Sequence, residues 1–258
     1  DIPKGAHVRK YGYSVGISEG IRAGEHVHTH NLVSGLKRED EYEYTPRLSP
    51  AAAYENREFY GYRRADGRVG ARNQILVLPT VGCINNVCEE IARIARERCG
   101  YADICAAVHP YGCSQLHDDL EGTRRILAGL GSNPNNGGVL VVSLGCENNT
   151  LEEFLPCLSL SDPSRLRILR AQEAGDEIEA GVALVSQLAE LVKADKRVPC
   201  RLSDLTVGLK CGGSDALSGV TANPVVGALA DKIVGAGGNC IMTEIPEMLG
   251  GEQLLLCL

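Results

Sequence analysis

Four stretches of the chain repeat one pattern: an apolar run that ends in or just before Gly-Cys or Cys-Gly and gives way to polar residues. The runs are Ile75-Leu76-Val77-Leu78-Pro79-Thr80-Val81-Gly82-Cys83, and Ile104 to Val108 leading into His109-Pro110-Tyr111-Gly112-Cys113. Then come Val139-Leu140-Val141-Val142-Ser143-Leu144-Gly145-Cys146, and Leu205 to Leu209 leading into Lys210-Cys211-Gly212-Gly213. Short, continuously apolar runs bounded by glycine predict strands buried on both faces of a parallel sheet. Asn85-Asn86, Ser114-Gln115, Glu147-Asn148-Asn149 and Ser214-Asp215 follow them. Ligands of open α/β sheets bind outside the carboxyl ends of the strands, where glycine lets them approach backbone N–H groups at the next helix start. The pattern therefore predicts a site along one edge of one sheet.

Helical spacing fills the gaps. Val87, Cys88, Ile91, Ile94 and Ala95 predict a helix ending at Cys99-Gly100, and Leu116, Leu120, Ile126, Leu127 and Leu130 predict one ending at Gly131. After a short strand at Leu166-Arg167-Ile168-Leu169, Asp176 and Glu179 resemble a capping box opening a helix to Leu191-Val192. Asn223-Pro224 predicts the cap and first residue of a helix over 225–234, with a strand at Cys240-Ile241-Met242 after it. The alternation makes the fold class α/β with largely parallel sheets.

The chain before these units reads differently. Residues 1–34, with Gly5, Gly12, Gly16, Gly20 and Gly24, form a small β-rich segment, and the charged residues 35–58 a linker. Residues 59–200 form an α/β domain, and 201–258 begin a second one. Tyr62 to Asn73 reads as a hairpin with a type I′ turn at Asp66-Gly67. Its four arginines either clamp carboxylates or pair with the acidic linker; Arg72 and Asn73, just before the first buried strand, are the functional candidates. In Glu25-His26-Val27-His28-Thr29-His30-Asn31, histidines alternate, so a strand would project His26, His28 and His30 on one face. That face is either the start of a metal site or a polar face with no metal.

Composition narrows the partners. The 258 residues are 44% hydrophobic and 23% charged, enough for a core in one or two domains. A net charge of −7 argues against nucleic acid, and no apolar run approaches the ~20 residues of a membrane span. Asp1-Ile2-Pro3-Lys4 is not a signal sequence, so the expected setting is cytoplasmic, and the expected partners are a small molecule and further copies of the chain. Eleven cysteines, an odd number with no Cys-x-x-Cys pair, fit a reducing compartment. The missing initiator Met and the apolar ending Leu254-Leu255-Leu256-Cys257-Leu258 suggest a piece of something longer.

Together these residues resemble the altronate and galactarate dehydratase family of sugar-acid hydro-lyases. The resemblance rests on His26 to Asn31, Tyr62 to Asn73, Pro79 to Cys83, Tyr111-Gly112-Cys113-Ser114-Gln115-Leu116 and Leu144 to Asn149. It continues through Cys211-Gly212-Gly213-Ser214-Asp215 with Ser218-Gly219, Thr221-Ala222-Asn223-Pro224, and Glu244-Ile245-Pro246-Glu247-Met248. It covers nearly the whole chain and is closer to the altronate branch. It implies a β-clip (SAF-like) N-terminal domain, two α/β domains of which the second is incomplete, activation by Fe(II) or Mn(II), and truncation at both ends. His117 stands where the family has Gly before the Asp118-Asp119 pair, which puts the local turn in question.

The implied reaction dehydrates an altronate-like aldonate to a 2-keto-3-deoxy acid. Loss of the α proton and β hydroxyl builds charge on the carboxylate and leaving oxygen, which a Lewis-acid metal lowers in cost. On this reading His28 and His30, with His26, hold the metal, and Glu147 or Asp215 completes a set of two His and one carboxylate. Arg72, Asn73 and the helix starts at Cys83 and Cys146 hold the substrate carboxylate; Asn85, Asn148, Asn149 and Ser214 read hydroxyls. His109 and Glu244 are the candidate bases. Against these stand plainer readings: a packed His109, capping roles for Asn148-Asn149 and Asp215, and cysteines chosen for size. A sharper alternative gives Cys83, Cys113 and Cys146 an iron–sulfur cluster with an open iron, ranked lower because the spacing is unlike a ferredoxin's. Galactarate dehydratase, sulfolactate sulfo-lyase and a non-catalytic α/β ligand-binding protein remain as other functions, the last weakened by the absence of nucleotide-binding glycine motifs.

Overall fold

The computed structural model describes residues 1–10, 12–35, 45, 52–210 and 217–243. At the N-terminus, β1 (His7–Lys10), β2 (Tyr13–Ser18) and β3 (Leu32–Val33) form an antiparallel sheet in that order. The buried Ser18 hydroxyl donates to the Ile2 carbonyl at 3.0 Å and accepts from the Gly20 N–H at 2.9 Å, tying the first residues to the sheet.

The hairpin follows as β4 (Glu58–Arg63) and β5 (Val69–Gly70). Its turn is longer than type I′: Gly67 N–H donates to Arg64 O at 3.0 Å and Arg64 N–H to Arg68 O at 2.8 Å, enclosing three residues. Such a loop pairs a tight turn with a left-handed residue, here Gly67.

Next come β6 (Gln74–Pro79), α1 (Asn85–Cys99), β7 (Ile104–Ala106), α2 (His117–Gly131) and β8 (Asn136–Ser143). Then follow α3 (Leu151–Phe154), β9 (Leu166–Arg170) and α4 (Glu177–Lys193), whose capping Asp176 carboxylate accepts from Glu179 N–H at 2.9 Å as expected. The four strands form a parallel sheet in the order β7-β6-β8-β9. Strand alternation splits the apolar runs between two cores. Ile75, Val77, Leu140 and Val142 pack with residues of α1 and α4; Leu76, Leu78, Val139 and Val141 pack with residues of α2 and α3. Burial on both faces is why these strands read as continuous apolar runs, each large side chain contributing roughly 1.5–3 kcal/mol.

Strand β10 (Val198–Arg201) then pairs antiparallel with β4. Its Pro199 is tolerated because β10 lies at the edge of the order β10-β4-β5. Finally β11 (Thr206–Leu209) and β12 (Asn239–Met242) pair in parallel across α5 (Ala222–Gly235). The helix starts earlier than expected, with Thr221 as its cap; Pro224 falls inside the first turn, where its missing N–H would have had no helical partner anyway.

The chain divides into two compact units, Asp1–Asn56 with Leu205–Leu258, and Arg57–Asp204. The β-rich segment and the final α/β segment fall in one unit, and β10 keeps residues up to Asp204 with the large unit. The four Gly-Cys repeats do not share a sheet either: β6, β7 and β8 carry three of them, while the fourth follows β11 in the other unit. Most of the expected linker, residues 36–44 and 46–51, lies outside the described residues. Among the described residues no helix is long and apolar enough to cross a membrane.

Candidate active site at the carboxyl edge of the parallel sheet

Strand β6 leads to β7 on one side, and β8 flanks it on the other, so the connections after β6, β7 and β8 meet where the strand order reverses. That reversal opens a crevice in doubly wound sheets. Hydrogen bonds lace the three loops together. Gly82 N–H donates to Tyr111 O at 2.7 Å, and the Asn85 amide donates to His109 O at 2.7 Å. Across the other gap, Asn149 Nδ2 donates to Thr80 O at 3.0 Å. A Cβ on Gly82 would lie 2.7 Å from His109 O and 3.0 Å from Tyr111 O, so the approach requires glycine.

Glu147 holds the loop after β8. It is only 6% exposed, and its Oε1 accepts from Thr80 Oγ1 at 2.7 Å and Ser143 Oγ at 2.6 Å, while Oε2 accepts from Gly145 N–H at 2.6 Å. Burial pushes its pKa up, but the hydrogen bonds from Ser143, Thr80 and the backbone outweigh burial and hold it below the usual Glu value. The tight bend it closes needs Gly145 at φ +118°, where a Cβ would also meet Gln172. Arg124 donates to Asn149 Oδ1 at 3.1 Å and pairs with Glu153.

These loops deliver Cys83, Cys113 and Cys146 together, all exposed free thiols. Cys83 and Cys146 lie near enough to Cys113 to bear on its charge. The Cys113 pKa is raised, first by loss of water around it and then by its neighbours Cys83 and Cys146. A cavity of about 630 Å³ opens beside them, lined by Tyr111, Gly112, Ser114, Gln115, Asp118 and Asp119 among others. His117 is the first residue of α2.

The remaining candidates separate. Arg72 and Asn73 precede β6 and so lie at its amino end, across the sheet from Cys83 and Cys146; the shared carboxylate clamp expected for them does not form there. Asn73 is buried, its amide donating to Val192 O at 3.1 Å and to Asp195 at 2.9 Å. Asn85 and Asn149 spend their amides on the loops, whereas the Asn148 Oδ1 is buried without a hydrogen-bond partner. His109 has both ring nitrogens engaged, Nε2 with Pro79 O at 3.2 Å and Nδ1 accepting from Tyr111 N–H at 3.3 Å. Burial lowers its pKa more than the Pro79 contact raises it, leaving a neutral histidine that joins two strand ends. Ser214, Asp215 and Glu244 lie outside the described residues.

In the small unit the expected histidine strand is a loop. Asn31, 4% exposed, shapes it: its Oδ1 accepts from His28 N–H at 2.9 Å and its Nδ2 donates to His26 O at 3.0 Å. The three rings still share a side, stacked with centroids 5.8 and 6.5 Å apart and planes within 22°. Rings stacked in parallel do not aim their nitrogens at one point. Among the described residues no three His, Cys, Asp or Glu side chains are arranged to hold a single metal ion. The histidines by themselves form no such group, and Asp215, the alternative carboxylate of the expected set, lies outside the described residues. Asn31→Ala should cost roughly 1–3 kcal/mol by leaving buried backbone groups unpaired, read as a lower urea midpoint.

Sequence comparison settles the lineage. The model of the D-galactarate dehydratase/altronate hydrolase second domain matches residues 61–193, the altronate/galactarate dehydratase SAF domain matches 1–35, and the D-galactarate/altronate dehydratase C-terminal domain matches 202–257. The chain belongs to the altronate/galactarate dehydratase family. Within that family it is 46% identical over 263 residues to altronate dehydratase of Escherichia coli (strain K12) and 44% identical over 261 residues to that of Bacillus subtilis (strain 168). Each match covers 99% of this chain, and 53% and 52% of the relative. The chain thus spans about half the length of the curated relatives it matches. It is also 33% identical over 201 residues to the (2R)-sulfolactate sulfo-lyase subunit beta of Chromohalobacter salexigens, covering 77% of this chain and 49% of the relative.

Three functional-network residues escaped sequence reasoning: Thr80, Ser143 and Arg124. A signal existed for the first two, since each is a polar residue closing an apolar run and a buried hydroxyl must find a partner.

Proposed function

We propose that the protein is a sugar-acid hydro-lyase that dehydrates an altronate-like aldonate to a 2-keto-3-deoxy acid. The observation that carries this reading is the convergence of the loops after β6, β7 and β8 at the reversal of the strand order, beside a cavity of about 630 Å³. Family membership supports the reaction class. The substrate carboxylate is assigned to backbone N–H groups at the entrance to α1. His109 is not assigned as the base, because both of its ring nitrogens are engaged. The α proton and β hydroxyl leave as water, and the resulting enol becomes the keto acid. The nine described cysteines are all free thiols, which supports a reducing, cytoplasmic setting.

The test is product analysis on the purified protein, supplied anaerobically with iron, against altronate, galactarate and sulfolactate. Keto-deoxy acid from altronate is the expected result. Sulfite from sulfolactate with no keto-deoxy acid from altronate would move the chain to the sulfo-lyase branch.

A further inference from the structure

We propose that the cavity beside the arginine hairpin, at the amino edge of the parallel sheet, binds a small oxyanion, a carboxylate or a phosphate, through Arg64, Arg165 and Lys196. It lies wholly within the unit Arg57–Asp204, at the opposite edge of the sheet from the candidate active site. The proposal needs nothing from the dehydratase reading.

The hairpin's arginines divide. Arg68 spends its guanidinium on Asp66 and on the carbonyls of Ser132 and Ser159, and Arg63 pairs with Asp204 at 3.0 Å. Arg64 is held in place by its other edge. Its side chain is only 8% exposed, with Nε donating to Pro134 O at 2.7 Å and Nη2 to Arg72 O at 3.3 Å. Its Nη1 has no hydrogen-bond partner among the described residues and stands 3.8 Å from Asp195.

Asp195 is committed elsewhere. Its Oδ1 accepts from Arg165 at 2.7 Å, and its Oδ2 accepts from Arg165 at 2.8 Å and from the Asn73 amide at 2.9 Å. Arg165 precedes β9, and its Nη1 also donates at 2.9 Å to Gly137 O at the start of β8, which fixes this group at the amino edge. Two guanidiniums therefore share one carboxylate. The Arg64 pKa is held below its usual value, first by burial, which the attraction of Asp195 does not offset, and further by repulsion from Arg165.

These groups line a cavity of about 160 Å³, whose charged wall also includes Arg63, Lys196 and Asp162. A space of that size takes a group of roughly six heavy atoms. With Arg63 matched by Asp204, the wall sets Arg64, Arg165 and Lys196 against Asp162 and Asp195, leaving one positive charge in excess. The chain as a whole carries a net charge of −7. A network built only to fasten the hairpin would balance its charges. This one leaves Nη1 of Arg64 and the exposed Lys196 ammonium without a hydrogen-bond partner among the described residues. Guanidinium and ammonium donors around one cavity are the set that holds carboxylate or phosphate oxygens.

The experiment titrates the full chain with inorganic phosphate and with malonate by calorimetry, at fixed pH and ionic strength. Lys196→Ala and Arg64→Lys are compared with the wild type. The control is Lys193→Ala, which removes the same charge from the end of α4 outside the cavity. Lys196 is exposed, so its replacement leaves the fold intact, while a urea midpoint checks the fold of Arg64→Lys, which keeps the charge but loses the fork. One saturable site per chain, weakened about tenfold or more by Lys196→Ala and by Arg64→Lys and unchanged by Lys193→Ala, is the expected result. Phosphate binding alone supports a phosphate site, and malonate binding alone a carboxylate site. Failure of both anions to saturate overturns the proposal. So does binding that survives Lys196→Ala, or that Lys193→Ala weakens equally, since the anion then sits elsewhere or answers only to net charge.

Discussion

Glu147→Ala is expected to lose about 3 kcal/mol of stability at neutral pH and, on the proposed hydro-lyase function, to abolish dehydration. The side chain is almost fully buried and accepts from two hydroxyls and one backbone N–H. Removing it strands those donors, and the loss exceeds that of an ordinary neutral hydrogen bond because the acceptor is charged. The change would also free the loop after β8, which carries Cys146, from Thr80 at the end of β6. The pH dependence has a definite sign. The Glu147 pKa is depressed in the folded protein, so its contribution is fully present above the ordinary value of 4.5 and disappears as pH falls through the folded value. Urea midpoints of wild type and variant should therefore differ most near neutrality and converge in acid. A constant gap down to low pH would mean that Glu147 acts by packing alone.

The parts of this architecture that the sequence made legible share a physical cause. Strands β6 and β8 are buried on both faces, so their apolar runs stand out whatever they pair with, and α1, α2 and α4 carry amphipathic spacing with recognisable ends. Pairing left no comparable local trace. The repeat at Cys211 looks like the other three, yet β11 pairs with β12 in a different unit from β6, β7 and β8. The histidines show how a period can mislead: His-x-His-x-His mimics a strand, but Asn31 bonds back to the main chain at His26 and His28 and closes a loop instead. Arg72 and Asn73 failed for a simpler reason, since adjacency to a strand does not say which end of the sheet a residue occupies. The cysteines were visible as strand-end residues, whereas their convergence depended on strand order.

On the proposed hydro-lyase function, Gly82→Ala is expected to lower dehydration about 100-fold, the scale of loss that an ångström-sized displacement produces at a reacting centre. Its methyl group would lie 2.7 Å from the His109 carbonyl and 3.0 Å from that of Tyr111. Both obstacles are backbone, so no side-chain rotation relieves the clash. The loops after β6 and β7 must part, breaking the bond from Gly82 N–H to Tyr111 and separating Cys83 from Cys113. Overpacking of this kind costs about 1–3 kcal/mol, less than the catalytic loss implies if the fold persists. The control is Gly129→Ala on α2, which adds the same methyl outside the cavity where nothing lies within 4 Å. Steady-state rates and urea midpoints for the two variants would separate the effects. If contact between the loops is what matters, Gly82→Ala loses activity while Gly129→Ala keeps it. Equal activity in the two variants would show that contact between these loops is not what the reaction depends on.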